Sequence, residues 1–348
     1  YLVLELSSYC LYILVALRRQ KTIGHRAALQ YFLVGICASA LMVFGLALFY
    51  SATGMVFLND LARLSVLQLK APLVAVGVVL MLSGFFFKLA LFPFHFWAPD
   101  AYQGASDQVA TYIATASKVA AIAILIRVAG AIVFAGNYLT PVLIVLALFS
   151  MTIGNLCALV QKDLKRLLAY SSIAHAGYIL LGLLCLGSEA IAAVIFYAGA
   201  VLIMKFTCFF VVSQVAVDGG NVHIDQLAGL HRRSPILALC LMMAVFALAG
   251  IPPTVGFAGK LLIFNAAISK GYLFLVIVAM VNVVVSLYYY LLLVKAAYLT
   301  TPEEETKPLV LLFRFKVLAV GLVIVMVVAG IYPAPLIQIA RTATQAIF

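Results

Sequence analysis

Residues 235–267 read PILALCLMMAVFALAGIPPTVGFAGKLLIFNAA, thirty-three residues with one charge, Lys260, and an interruption at Gly250-Ile251-Pro252-Pro253. A helix needs about 20 apolar residues to cross the hydrocarbon of a bilayer, so this stretch can cross even with a break in it. Working outward, nine further apolar runs lie at 1–17, 28–50, 73–98, 109–134, 138–160, 168–187, 190–216, 272–299 and 316–340. Of the 348 residues, 66% are hydrophobic and 9% charged, against roughly 45–50% and 25% in soluble domains. In lipid only helices or closed barrels satisfy the backbone, and the runs lack the polar–apolar alternation of barrel strands. The sequence predicts an all-α polytopic membrane protein with about ten transmembrane helices.

The first run has no basic leader or cleavage site and is not a signal peptide. Its polar members suit an inner helix whose upstream neighbours are missing. The six cysteines (Cys10, Cys37, Cys157, Cys185, Cys208, Cys240) sit in apolar runs without CxxC or metal-type spacing and read as packing residues. Loops after odd-numbered runs hold thirteen Lys and Arg, Lys165 and Arg166 among them, against five on the other side. That excess places the first set in the cytoplasm and both chain ends on the outer side. The net charge of +11 is then topology and calls for no nucleic-acid partner.

Four lysines remain inside apolar runs, Lys88, Lys118, Lys205 and Lys260, together with one carboxylate, Glu5. A charge near the bilayer centre costs ~2.5–3.5 kcal/mol on insertion scales, so such residues face the bundle interior and mark function. Snorkelling to the surface is the bland reading. It suits Lys205 in part, in the inner half of its run, where a proton-relay role stands equally beside it, and fits Lys88, Lys118 and Lys260 poorly, because long apolar stretches flank each.

Gly84-Phe85-x-x-Lys88-Leu89-x-x-Phe92 recurs as Gly256-Phe257-x-x-Lys260-Leu261-x-x-Phe264, five identities at an offset of 172. Five crossings separate the copies, so their helices traverse the membrane in opposite senses, as in inverted-topology repeats. Both carry breakers: Pro93 and Pro99 in one, Gly250, Pro252, Pro253 and Gly256 in the other. Proline removes a backbone donor and frees carbonyls, which persists at membrane depth only where the break is buried or lines a wet cavity.

The polar neighbours suit a hydrophilic path. Thr111, Thr115 and Lys118 recur at helical spacing, as do Glu5, Ser8 and Tyr12. His95 follows the Pro93 break and His175 lies in Ser171-Ser172-Ile173-Ala174-His175. Each is either a packing residue or a proton relay, since imidazole titrates near neutrality. Asn155 and Asn282 read as helix–helix glue. No P-loop, GxGxxG turn, HExxH, cysteine cluster or paired haem histidines is visible, so no cofactor and no metal are expected in this chain.

Lys88 to Ser106, KLALFPFHFWAPDAYQGAS, and Lys165 to Gly177, KRLLAYSSIAHAG, closely resemble the signatures of the antiporter-like membrane subunits of respiratory complex I. The resemblance covers nearly the whole chain and is nearest to the subunit N group of bacterial NADH:quinone oxidoreductases, counterparts of mitochondrial subunit 2. It implies two inverted five-helix repeats, 1–134 (N-terminally truncated, broken helix 73–98) and 138–299 (broken helix 235–267), followed by a helix at 316–340. It implies a proton path through Glu5, paired with Lys88, then Lys118 and Lys260, with His175 in the family's SSIAH motif. Lys205 matches no family position. It also implies the bacterial inner membrane, with further antiporter-like subunits as partners.

Burial disfavours an ammonium and a nearby carboxylate restores it. Lysine, unlike arginine, can therefore cycle its charge, and neighbouring lysines couple by repulsion. Two alternatives stand beside a redox-driven proton translocase: a subunit of a cation/proton antiporter, and a structural scaffold with inert lysines.

Overall fold

The computed structural model of the chain describes residues 2–18, 21–55, 72–133, 139–216, 219–302 and 308–345, which fold into helices and connecting turns. The helices are α1 (Leu2–Ala16), α2 (Lys21–Thr53), α3 (Pro72–Leu89), α4 (Trp97–Gly104), α5 (Asp107–Ala114), α6 (Ala116–Val133), α7 (Leu139–Leu159) and α8 (Leu164–Leu184). They continue as α9 (Ser188–Val215), α10 (Leu230–Arg233), α11 (Pro235–Ala249), α12 (Val255–Ser269), α13 (Leu273–Leu299), α14 (Phe313–Ile331) and α15 (Ala334–Gln345). Eight described helical spans are long and apolar enough to cross a membrane, with α5 and α6 forming one of them. Those eight, the shorter α1, and α11 with α12 account for the ten apolar runs. Arg19, Arg63, Lys70 and Lys307, used in assigning the cytoplasmic side, lie outside the described residues.

The architecture is built around α8, which is almost wholly buried. Asp163 caps its start, accepting a hydrogen bond from the Arg166 amide at 3.0 Å. Such a cap satisfies one of the four N–H groups that a helix start leaves free. On α7 and α8, Gly154 and Gly177 let the backbones approach. A Cβ on Gly177 would stand 2.6 Å from the Met151 side chain, and one on Gly154 2.7 Å from the Ala174 amide. Small residues at a seam are how membrane helices gain contact when lipid is as apolar as the partner. The close seam holds Ser171, His175 and Tyr178 in the interior.

Four expectations change. The run 316–340 is two helices, α14 and α15, divided at Tyr332-Pro333, because proline disfavours helix in the residue before it. α15 is tied to α9 by Arg341–Glu189 at 2.7 Å and Ser188–Thr344 at 3.1 Å. The run 109–134 is interrupted at Thr115, with φ −118° and ψ −89°, so Thr111, Thr115 and Lys118 are not one continuous helical face. Lys165 is no solvated loop charge. It is fully buried, 2.5 Å from Asp107 and 3.1 Å from the Ala105 carbonyl.

The fourth change concerns the repeat. Lys88 lies on α3, before its break, whereas Lys260 lies on α12, after its break. At an offset of 172 the breaks themselves do not coincide; at 160 they do. Ala90 (φ +58°) corresponds to Gly250 (φ +86°), both left-handed. The Leu91 amide donates to Phe86 O at 2.9 Å, as Ile251 does to Phe246 O at 3.0 Å. This is the hydrogen bond of a Schellman helix end. Pro93 and Pro253 then fall in register. The five-identity motif is therefore displaced from the register in which the two breaks align.

Candidate functional site

Each break leaves the last carbonyls of a half-helix without intrahelical donors. Lysine ammonium groups supply them. Lys260 Nζ donates to Leu248 O at 2.8 Å and Ala249 O at 2.9 Å, capping α11. Lys118 Nζ donates to Leu89 O at 3.1 Å, capping α3 from the neighbouring α6. A cation is favoured at a helix C-terminus by the macrodipole. Lys118 also stands 6.0 Å from the Tyr102 ring and Lys260 5.3 Å from the Tyr178 ring.

Lys88, one residue before the end of α3, is buried and donates to Ser7 Oγ at 3.2 Å. Glu5 accepts from Ser39 Oγ at 2.5 Å. The two side chains share the α1–α2–α3 region, each hydrogen-bonded to its own serine, and no direct hydrogen bond or ion pair joins them among the described residues. Lys88 meets Ser7 and not Ser8, the residue that helical spacing had singled out. Tyr12 is buried, and its hydroxyl has no hydrogen-bond partner among the described residues.

Lys205 does not snorkel. It is fully buried, donating to Leu168 O at 2.9 Å and Ser171 Oγ at 2.6 Å. Ser171 and Tyr290 hydroxyls are hydrogen-bonded. Tyr290 OH lies 3.3 Å from His175 Nε2, and Tyr197 OH lies 2.6 Å from His175 Nδ1. Lys205 and His175 are thus ends of one buried chain of hydroxyls. A cavity of about 20 Å³ lies between His175 and Lys118, walled by Thr115, Ser172, Ala198 and Leu202 among others. About 10–15 Å³ suffices for a water. A groove of about 600 Å³ beginning at Asp107 shares Thr115 and Leu202 with that cavity. A second groove, of about 420 Å³, reaches Lys260 between α12 and α13.

His95 sits in the first break, buried against Phe92 and Phe96, and no hydrogen bond joins it to the lysines among the described residues. Asn155 donates to Asn282 Oδ1 at 3.1 Å and accepts from Tyr289 OH at 2.9 Å, a link between α7 and α13. Sequence reasoning missed Ser7, Ser39, Tyr197 and Tyr290. Their side chains are ordinary in apolar helices, and their partners come from distant helices. Only Ser171 carried a signal, as part of the SSIAH motif.

The comparisons with known proteins agree with this fold. Residues 1–286 match the family described as NADH:quinone oxidoreductase/Mrp antiporter, TM. The chain is 57% identical over 344 residues to NADH-quinone oxidoreductase subunit N 2 of Syntrophobacter fumaroxidans, covering 99% of this chain and 73% of the relative. It is 36% identical over 351 residues to subunit N of Nitrosomonas europaea, covering 99% and 72%. A chain of respiratory complex I from Thermus thermophilus with bound aureothin is similar at TM-score 0.85 and 39% identity, over 97% of this chain and 73% of that one. A chain of the Mrp complex from Dietzia sp. DQ12-45-1b shares the fold at TM-score 0.89 and 24% identity, over 99% and 73%. With its eight long apolar spans and lysine-capped breaks, this multi-pass membrane chain belongs to the NADH:quinone oxidoreductase/Mrp antiporter transmembrane family.

Proposed function

We propose that the chain is the subunit N type of antiporter-like subunit in the membrane arm of an NADH:quinone oxidoreductase, and that it moves protons through Glu5, Lys88, Lys118, His175 and Lys260. The observation that carries this reading is the continuity of buried polar groups from Lys118 across a one-water cavity to His175. Relatives named NADH-quinone oxidoreductase subunit N, 57% and 36% identical, support the choice of complex.

In this reading protons reach Lys118 from the Asp107–Thr115 groove, pass to His175 through the cavity, and go on to Lys260. Each transfer moves one proton between two nitrogens through water, with no covalent intermediate. Glu5 acts on Lys88: its approach favours the ammonium and its withdrawal releases a proton. Two unit charges 10 Å apart at an effective dielectric of 20 repel by about 1.7 kcal/mol, so filling one lysine empties the next. Quinone reduction by NADH is assigned to partner subunits, with no cofactor expected in this chain. Its place is the bacterial inner membrane, among other antiporter-like subunits, with both described ends on the outer face. His95 is a packing residue of the first break in this scheme.

The test is Lys118→Ala in the assembled complex, reconstituted into vesicles. Proton uptake driven by NADH oxidation should fall at least tenfold per electron. Unchanged uptake at full assembly would refute the path, and NADH-driven sodium uptake in its place would favour a sodium translocator.

A further inference from the structure

Lys205 differs from Lys118 and Lys260 in its surroundings. Each of those lines a cavity or groove. Lys205 is fully buried among α8 and α9 residues, and among the described residues it hydrogen-bonds only to Leu168 O and Ser171 Oγ. Its chain of hydrogen bonds runs through Ser171 and Tyr290 to His175, whose other nitrogen meets Tyr197. A side branch of that kind carries no through-traffic, but it can control the group at its other end.

The control follows from counting donors. An ammonium has three N–H groups and no acceptor, and a hydroxyl has one donor and two lone pairs. While Lys205 is charged, Ser171 Oγ must accept from it. The Ser171 proton then has Tyr290 Oη as its acceptor, and the Tyr290 proton has His175 Nε2. Nε2 must therefore carry a lone pair, and His175 is neutral, with its proton on Nδ1 toward Tyr197. Tyr289, next to Tyr290, already donates its hydroxyl proton to Asn155 Oδ1, and among the hydrogen bonds of the described residues any other orientation leaves a buried hydroxyl proton without an acceptor, at a cost of about 1–3 kcal/mol. When Lys205 is neutral, its lone pair accepts the Ser171 proton. Ser171 accepts from Tyr290, and Tyr290 accepts from His175 Nε2–H. His175 can then hold both protons, donating Nδ1–H to Tyr197 and Nε2–H to Tyr290.

We infer that Lys205 is a positioning residue that sets, through Ser171 and Tyr290, whether His175 can hold a second proton, so that charged Lys205 and charged His175 are mutually exclusive. This rests on the proposed proton path through His175. Like-charge repulsion acts in the same sense as the hydrogen-bond directions. The other groups around His175 are Tyr197 from α9, Tyr290 from α13, Tyr178 on its own helix and Lys118 from α6 across the cavity. Beyond them lie Tyr102 from α4, Lys260 from α12 and Tyr289 beside Tyr290 on α13, with Cys208 near Lys205 on α9, while α7 brings the non-titrating Asn155. None of these joins His175 to Lys205 except Tyr290.

The experiment measures NADH-driven proton uptake against pH in vesicles holding the assembled complex. The variants are Lys205→Met, Ser171→Ala, His175→Gln and each of the first two combined with His175→Gln. Lys205→Met should move the pH profile to the alkaline side by roughly one pH unit. Ser171→Ala, which keeps Lys205 and changes little volume, should move it in the same direction by less. Neither should move the profile of the residual uptake that remains when His175 is Gln. A fall in rate at every pH with no displacement would overturn the inference, as would a displacement that survives His175→Gln. If His175→Gln alone pumps normally, the proposed path itself fails and the inference with it. If His175→Gln abolishes pumping and Lys205→Met displaces nothing, only the inference fails.

Discussion

Gly250→Ala probes the geometry that seats Lys260. Gly250 ends α11 with φ +86° and ψ 44°, a left-handed conformation. An L-residue there costs about 1–2 kcal/mol. The added Cβ would also stand 3.0 Å from Lys260 Cδ and 3.4 Å from its Nζ. Ordinary contact begins near 3.4 Å for the carbon, so Lys260 must retreat by about 0.4 Å (3.4 − 3.0). Its hydrogen bonds, now 2.8 and 2.9 Å, would stretch to about 3.2–3.3 Å, the outer limit for N–H···O. Charged hydrogen bonds contribute about 1.5–3 kcal/mol each, and partial loss of two adds roughly 1 kcal/mol. The expected total is about 2–3 kcal/mol, of which roughly 1 kcal/mol, about fivefold, acts on the balance between capped and displaced Lys260 and the rest on the stability of the fold.

Ala90→Gly is the control, since Ala90 holds the corresponding place in the first break at φ +58° and is fully buried. Removing its Cβ relieves left-handed crowding and gives back about 0.5–1 kcal/mol of chain entropy, so little net change is expected. Thermal unfolding of the solubilised complex and proton uptake per electron are the two assays. Gly250→Ala should lower both, and Ala90→Gly neither. Equal behaviour of the two variants would refute the geometric argument.

Three further outcomes are expected. Lys88→Ala should severely reduce pumping in an assembled complex, and Lys88→Arg should also impair it, because a permanent cation cannot cycle; proton uptake by both at the parent rate would exclude Lys88 from the path. Glu5→Gln should weaken pumping less than Lys88→Ala, and the double variant should be no worse than Lys88→Ala, as coupled sites require; additive losses would mean that Glu5 acts independently. Asp107→Asn leaves Lys165 buried without its counter-charge and should destabilise the chain by about 3–5 kcal/mol, whereas Asp107→Leu with Lys165→Met should recover much of that; the yield of assembled complex reports both.

The crossings were legible because apolar length is a local property. So were Lys88, Lys118 and Lys260, since each stands alone in an apolar run. Pro93 and Pro253 announced the two breaks, but their register was not legible. The stronger identity, Gly-Phe-x-x-Lys-Leu, lies at 172, while the structural offset of 160 retains only scattered identities such as Phe86 with Phe246 and Pro93 with Pro253. The left-handed residue is Gly in one break and Ala in the other, so composition conceals the correspondence. Thr115 interrupts its helix without Gly or Pro, which local propensity cannot reveal. Lys165 read as a cytoplasmic loop charge because Asp107, its partner, is 58 positions away in sequence. Pro333 did signal the division between α14 and α15, but the apolar Leu336 and Ile337 beyond it carried the hydropathy run across.

The capping geometry also bears on why lysine occupies these positions. A break at membrane depth leaves carbonyls that need donors, and a buried ammonium needs acceptors, so each removes the other's desolvation penalty. Lys260 makes two such bonds, to Leu248 O and Ala249 O, and Lys118 makes one, to Leu89 O. A neutral amine retains two N–H groups. When Lys260 gives up a proton it can still donate to both carbonyls, and Lys118 can still donate to its one. The half-helix stays capped while the charge comes and goes. An arginine would hold the cap but keep its charge at any working pH. A carboxylate would have no donor when ionised. Lysine alone among the charged side chains can satisfy two adjacent helix-end carbonyls in both protonation states, so the charge can cycle without the break having to refold around it.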